Sequence, residues 1–340
     1  MRSTNFDVMR LGAALAVLVS HSVPLSFGGN DRELFWKLSQ NQATLGDVAV
    51  AVFFVLSGYL ICRSWLNRPE FVRFATARAL RLLPALAVML LVTTFGLGAL
   101  LSPLSAREYL TDPQVLHYVW RNLSLTGFVP GLPGVFATNP FPGVLNGSLW
   151  TLPLEAACYG LIAGLGLAGL LNRWMLLALW AAGCVASFAW WGGPLVQFGT
   201  EFLGGAVLLT WRVPMRSSLA WGCLALVGLA FCTAGLRVAL PSVGAYLILY
   251  LVHAEWPVRF KLSSDLSYGV YLWAFPVQQV VTHMLGAAAS PGLNIVLSAP
   301  VVLGLAWLSW HGVERPASSL WTRTRLFRGQ RSFDAGQHAV

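Results

Sequence analysis

Arg10 and His21 are the two side chains in this sequence whose types and spacing best suit chemistry inside a membrane. They lie eleven residues apart in the apolar run Val8 to Val23. On a helix, eleven steps of about 100° make about three turns, so both side chains point the same way, roughly 16 Å apart along the axis. Ionisable groups are costly in hydrocarbon and usually mark a function there. A histidine can act as base or nucleophile near neutral pH. The plainer alternative has Arg10 reaching one headgroup layer and His21 resting at the opposite water interface.

Other residues extend this pair. Arg78 and Arg81 are three apart at the start of an apolar span, so they share a helix face. Two guanidiniums there could hold phosphate, with Arg73 and Arg10 nearby, or could simply mark a cytoplasmic boundary. Glu155 lies inside another span and needs a partner, for which His21 or a guanidinium is the natural candidate. Ser148 and Trp150 precede it, and Pro153 can kink its helix. Phe53-Phe54-Val55-Leu56-Ser57-Gly58 offers a small-residue break that suits close packing, or the passage of a ligand against backbone. Glu201 is a second embedded acid, read as a structural partner for an arginine. The aromatics of Ser267 to Pro276 read equally well as an interface belt, and Glu314 and Arg315 as a helix-end charge cluster. His117, His253, His283 and His338 have no metal-ligand spacing to carboxylates or thiols, so no metal is expected.

These residues must be held by membrane helices. Of 340 residues, 56% are hydrophobic and 10% charged, far below the charge of a soluble domain. The pattern predicts an all-α, polytopic transmembrane bundle of about ten spans, at 7–25, 46–66, 78–102, 147–171, 174–192, 195–211, 218–236, 238–253, 265–287 and 293–312. With the N-terminus inside, seventeen of the 22 Lys and Arg fall on the inner side and five outside. Both termini are therefore expected in the cytoplasm. The excess positive charge belongs to topology and to an anionic ligand, and no nucleic-acid partner is expected. The long connection from Pro103 to Asn146 carries six prolines and reads as an irregular outer cap. Residues 1–316 form one membrane domain, and 317–340 a basic cytoplasmic tail lying near anionic lipid. The five cysteines read as small buried apolar residues.

In this order, the motifs resemble the acyltransferase 3 family of integral membrane acyltransferases, over about residues 4 to 317. Asn5 to Arg10 with His21, the Phe53 to Gly58 segment, Arg78 and Arg81, Ser148-Leu149-Trp150 with Glu155, Ser267 to Leu272, and Glu314-Arg315-Pro316 carry the resemblance. It implies an O-acyltransferase of the bacterial inner membrane, taking an acyl group, most often acetyl, from cytoplasmic acyl-CoA to a carbohydrate or glycolipid hydroxyl. The acceptor could be an exopolysaccharide or O-antigen unit. His21 and Glu155 would be catalytic. Arg10, Arg78, Arg81, Ser57 and Gly58 would bind the donor, and Ser148 and Trp150 the acceptor. Many members carry His where Ala274 stands. No permanently bound cofactor is implied, membrane lipids are partners, and a homo-oligomer is left open. The competing class is a transporter or flippase of a polysaccharide precursor, against which stands the lack of paired broken helices relating two halves.

Overall fold

The computed structural model describes residues 4–189, 193–255 and 262–319. Most of the expected tail at 317–340 lies outside them, as do Arg2, Arg259, Lys261, Arg323, Arg325, Arg328, Arg331 and His338. Every regular element among the described residues is helical.

The principal helices are α1 (Thr4–Phe27), α2 (Leu45–Asn67), α3 (Phe71–Leu91), α4 (Thr151–Leu167), α5 (Arg173–Phe188), α6 (Gly193–Thr210), α7 (Ser217–Cys232), α8 (Ala245–His253), α9 (Ser267–Leu285) and α10 (Pro291–Ser309). They fall where the apolar runs place them. Three are lengthened by wider π turns, at Val92–Gly98 after α3, Leu240–Gly244 before α8 and Trp310–Glu314 after α10. Six described helical segments are long and apolar enough to cross a membrane: Asn5–Phe27, Leu45–Asn67, Phe71–Leu101, Gly147–Leu167, Leu236–His253 and Pro291–Ser319. Arg173–Phe188 and Ser217–Cys232 are apolar but shorter.

α2 lies at the centre, packed against α1, α4, α6 and α8, while α1 also lies against α9 and α10. Between helices in lipid there is little hydrophobic driving force, so close backbone approach does much of the work. At the α2–α6 crossing a Cβ on Gly58 would sit 1.8 Å from Phe202 O, and one on Gly205 would sit 2.1 Å from Val55 O. Gly58 therefore belongs to helix packing, and its face of α2 is closed to a ligand. The expected break at Ser57-Gly58 is absent, because α2 is continuous from Leu45 to Asn67.

Two further corrections are local. Pro153 does not kink a span. It lies in the first turn of α4, where backbone N–H groups have no intrahelical acceptor. The cap from Pro103 to Asn146 is less irregular than its prolines suggest, since it contains helices Ala106–Thr111 and Pro113–Leu123. Ser105 and Glu108 form a capping box on the first, and those hydrogen bonds hold the Glu108 carboxyl below its ordinary range. Asp112 caps the second, with Pro113 at its first position. The Tyr109 hydroxyl then donates to Thr94 O at 2.8 Å, docking the cap on the π turn after α3.

Replacing Gly58 by Ala forces α2 and α6 apart. The expected cost is roughly 1–3 kcal/mol, as for overpacking of a tight core, read as a lower melting temperature in detergent. An unchanged melting temperature would show that the crossing is slack.

Candidate active site

A cavity of about 830 Å³ opens between α1, α2, α3, α4 and α9. Arg63 and Arg315 stand at one end. Thr151, Leu152 and Tyr271 stand at the other, with Arg10, Ser57, Arg78 and Glu155 between. The structure thus gathers Arg10, Ser57, Arg78, Arg81 and Glu155 around one space, from four helices. Its size lies within the range of ordinary ligand pockets.

Glu155 is held from two sides. Ser57 Oγ donates to Glu155 Oε1 at 3.2 Å, and the Tyr159 hydroxyl donates to the same oxygen. Tyr159 is one helical turn after Glu155 and lies within electrostatic reach of Arg78 and Arg10. Ser57 and Gly58 are neighbours with different tasks. One faces the cavity and the carboxylate, while the other faces α6.

The two guanidiniums of the Arg-x-x-Arg pair also differ. Arg81 Nη1 donates to Glu314 Oε2, and Nη2 to Asp265 Oδ2, both at 2.9 Å. Glu314 is 3% exposed and receives a further hydrogen bond from Ser309 at 3.0 Å. Arg81 also lies over the Tyr268 ring. Arg81 is thus a clamp between α3, α9 and the π turn after α10, with its charge engaged by two carboxylates, and it also lines the cavity. The expected Glu314–Arg315 cluster separates likewise. Glu314 turns inward to Arg81, and Arg315 lines the mouth of the cavity. Arg78 and Arg10 make no ion pair among the described residues, and the buried Nε of Arg78 has no hydrogen-bond partner.

The expected contact between His21 and Glu155 is not made. The His21 ring packs edge-on against Phe275, with centroids 5.2 Å apart, and its Nδ1 has no partner. The physical reason is depth. Phe275 also fills the place of a Cβ on Gly147, 2.5 Å away, so His21 lies near the level of Gly147-Ser148. Glu155 lies seven residues beyond Ser148, about 10 Å further along the chain's helical path. Neither His21 nor Phe275 lines the cavity, whereas the hydrogen-bonded pair Tyr271–Thr151 does. Ser148 is buried. Its carbonyl accepts from Tyr271 at 2.8 Å, and its Oγ has no partner. Trp150 lies against Phe198 of α6 and does not line the cavity.

Other sequence readings are also corrected. The aromatics of α9 are no interface belt. Tyr268, Tyr271 and Trp273 are buried, because Tyr268 donates to Leu82 O at 2.9 Å and Tyr271 to Ser148 O. Glu201 is 0% exposed and no arginine meets it, since both carboxylate oxygens lack partners. Gln197, one turn before it, and Asp47 of α2 are the polar groups within its reach. Ala274, where a histidine was considered, is fully buried in the apolar core. Asp265, Tyr159 and Thr151 were not singled out by sequence, and Phe275 only as one of the aromatics of Ser267 to Pro276. Only Tyr159, at i+4 from Glu155, left a readable signal.

Comparison with known proteins bears on this geometry. A profile described as an acyltransferase domain, that of the acyltransferase 3 family, matches residues 3–311. The chain belongs to the acyltransferase 3 family. It is 33% identical over 335 residues to an O-acetyl transferase of Shigella phage Sf6, covering 92% of this chain and 96% of that protein. It is 27% identical over 376 residues to nodulation protein 10 of Rhizobium leguminosarum bv. viciae, covering 94% of each. No solved structure matches it significantly. The chain is a membrane-bound enzyme that transfers acyl groups.

In this acyltransferase the clamp has a measurable signature. Arg81→Ala leaves Asp265 and Glu314 facing each other without a counter-charge. The loss of one partner from a largely buried cluster is expected to cost about 3 kcal/mol, seen as a large fall in melting temperature. Arg78→Ala, which breaks no ion pair, is expected to leave the melting temperature within a few degrees of wild type. Equal falls in both variants would refute the distinction.

Proposed function

We propose that this acyltransferase moves an acetyl group from cytoplasmic acetyl-CoA to a hydroxyl of a carbohydrate or glycolipid, such as an exopolysaccharide or O-antigen unit. It would do so as a ten-span protein of the bacterial inner membrane, with both termini cytoplasmic, residues 1–316 as the membrane domain and 317–340 as a tail. The observation that carries this reading is the cavity itself. Five arginines line it, two of them, Arg10 and Arg78, without an ion pair among the described residues, and it ends at a hydrogen-bonded Tyr271–Thr151 pair one layer from His21. A long donor with a phosphate-rich head and a small reactive end has this distribution of charge.

In this reading Arg10 and Arg78 hold the diphosphate, since each has guanidinium donors to spare, and Arg63 and Arg315 guide it in. Ser57, Glu155 and Tyr159 present polar groups to the amide-bearing arm. Arg81 sets the position of α3 and so of Arg78. Gly58 acts through packing alone. The thioester carbonyl comes to the Tyr271 end, beside Ser148, and the acceptor hydroxyl arrives from the His21 side. The hydroxyl oxygen attacks the carbonyl carbon as His21 takes its proton. The carbon–oxygen ester bond forms, the carbon–sulfur bond breaks, and the CoA thiolate leaves and recovers that proton. Glu155 acts on the donor and its local charge rather than by touching His21.

The reading is tested by mass spectrometry of surface polysaccharide from cells with the gene intact, deleted or carrying His21→Ala. The expected result is loss of the acetyl increment in both altered strains. An acetyl group kept in His21→Ala but lost on deletion would remove His21 from the chemistry, and unchanged polysaccharide in both would overturn the acceptor class. With purified protein, Arg78→Ala is expected to raise KM for acetyl-CoA roughly tenfold or more, the worth of one charged hydrogen bond. KM for the acceptor should stay put. A rise confined to the acceptor KM would exclude Arg78 from the donor site.

A further inference from the structure

A second cavity, of about 350 Å³, lies at the far end of α9 from the arginine-lined one. Tyr271 and Ser267 of α9 face the first cavity, whereas Thr282, His283 and Gly286 face the second. Thr138, Asn139 and Pro140 of the cap close it from above. We infer that this pocket is a recognition subsite for a neutral oligosaccharide acceptor, binding sugar units next to the one that reacts. The inference rests on the acceptor reading above.

The wall chemistry carries it. Among the described residues no carboxylate, lysine or arginine lines the pocket, in contrast to the first cavity, so none of them selects an anion there. Its polar side chains are Thr138, Thr282, Asn139 and His283; Asn139 and Thr282 are buried in internal hydrogen bonds, which leaves the Thr138 hydroxyl and the His283 imidazole to pair with sugar hydroxyls. The orientation of the imidazole is fixed by an inner row of hydrogen bonds. Asn139 Nδ2 donates to Gln279 O at 3.0 Å and to Gln279 Oε1 at 2.7 Å. This turns Asn139 Oδ1 toward His283 Nδ1, 3.1 Å away. A carboxamide oxygen only accepts, so Nδ1 carries the hydrogen, and in the neutral ring Nε2 is left as an acceptor. Thr282 Oγ1 accepts from Asn294 Nδ2 at 2.9 Å. Thr138 is exposed and makes no internal hydrogen bond among the described residues. Phe136 braces the His283 ring edge-on from beneath. Directional, pre-set groups of this kind give specificity without large reordering cost.

Position supplies the second argument. His283 is eight residues after Phe275 on α9, about 12 Å along the axis, and the Phe275 ring lies against His21. Gln279 lies between them and also donates to Phe141 O at 2.9 Å and Val144 O at 2.7 Å, fixing the loop that leads to Ser148. An oligosaccharide of a few units bridges that distance, and a single sugar does not.

The test uses the full chain in lipid nanodiscs and, as probe, O-deacetylated oligosaccharides released from the surface polysaccharide of the deletion strain. Binding is measured by calorimetry for wild type, His283→Ala and Ala287→Trp, which fills the pocket without touching its inner hydrogen bonds. Both variants are expected to bind roughly tenfold more weakly or worse, a loss of about 1.4 kcal/mol or more, with wild-type melting temperature and acetyl-CoA KM. Equal binding in all three proteins, no binding by wild type, or a parallel shift in acetyl-CoA KM would overturn the subsite. Binding that Ala287→Trp abolishes, without acetyl transfer by wild type, would keep the subsite and overturn the transfer reading alone.

Discussion

The guanidinium of Arg81 holds together three stretches of chain that are remote in sequence. It sits midway along α3 and reaches Asp265 ahead of α9 and Glu314 in the π turn after α10. A lone charge at this depth would be expensive, and two carboxylates without a counter-ion more so. Each of the three groups is tolerable only because the others are present. The cluster carries one more negative than positive charge, and Arg10 lies within electrostatic reach of both Arg81 and Asp265. The clamp therefore does two things at once. It fixes the helix that carries Arg78, and it places charges of both signs, Arg81 and Asp265, within reach of Arg10.

Sterics complete what the clamp begins. Gly58 and Gly205 bring α2 and α6 to backbone contact. Side chains one residue apart on a helix point about 100° apart, so seating Gly58 against Phe202 aims Ser57 away from α6. There it meets Glu155. A packing contact and a polar contact on consecutive residues thus give the carboxylate a fixed position, with Tyr159 one turn further on securing the same oxygen. Neither contact involves a long flexible side chain, which suits a site whose geometry must persist while a bulky ligand enters and leaves.

Much of this was legible in the sequence. Hydropathy placed most helices within a few residues, because apolar length is the one property a bilayer demands of a span, but α3 begins at Phe71, ahead of the expected 78. Arg10, Ser57, Arg78, Arg81 and Glu155 were marked by being polar in apolar runs, and they do surround one cavity. Partner choice was not legible. Nothing local to Arg81 announces Asp265, 184 residues away, or Glu314, 233 residues away. Proximity in the motif suggested that Arg78 and Arg81 act alike, whereas tertiary packing gives one of them counter-charges and leaves the other without. The tyrosines of α9 looked like an interface belt because composition cannot say whether an aromatic hydroxyl finds a carbonyl inside. The short helices of the cap were hidden by prolines, although Ser105 with Glu108 and Asp112 with Pro113 are start signals by their own chemistry.

The distance between His21 and the arginines follows from these constraints and gives the site its logic. Arg10 and His21 share one face of α1, yet that face passes two compartments. The first is wide and basic. The second, around Phe275 and the cap, is narrow and held by uncharged amides, since Gln278 ties Leu18 O of α1 to Asn294 of α10 and Gln279 ties the cap to α9. In the proposed reading the phosphate-bearing donor takes the first and the hydroxyl-bearing acceptor the second. In the proposed reaction they meet at the partition made by Tyr271, Thr151 and Phe275, where His21 Nδ1 and Ser148 Oγ are the buried polar atoms left without partners. Buried polar groups are ordinarily satisfied, and in the proposed reaction these two are the ones left to bond the reacting groups.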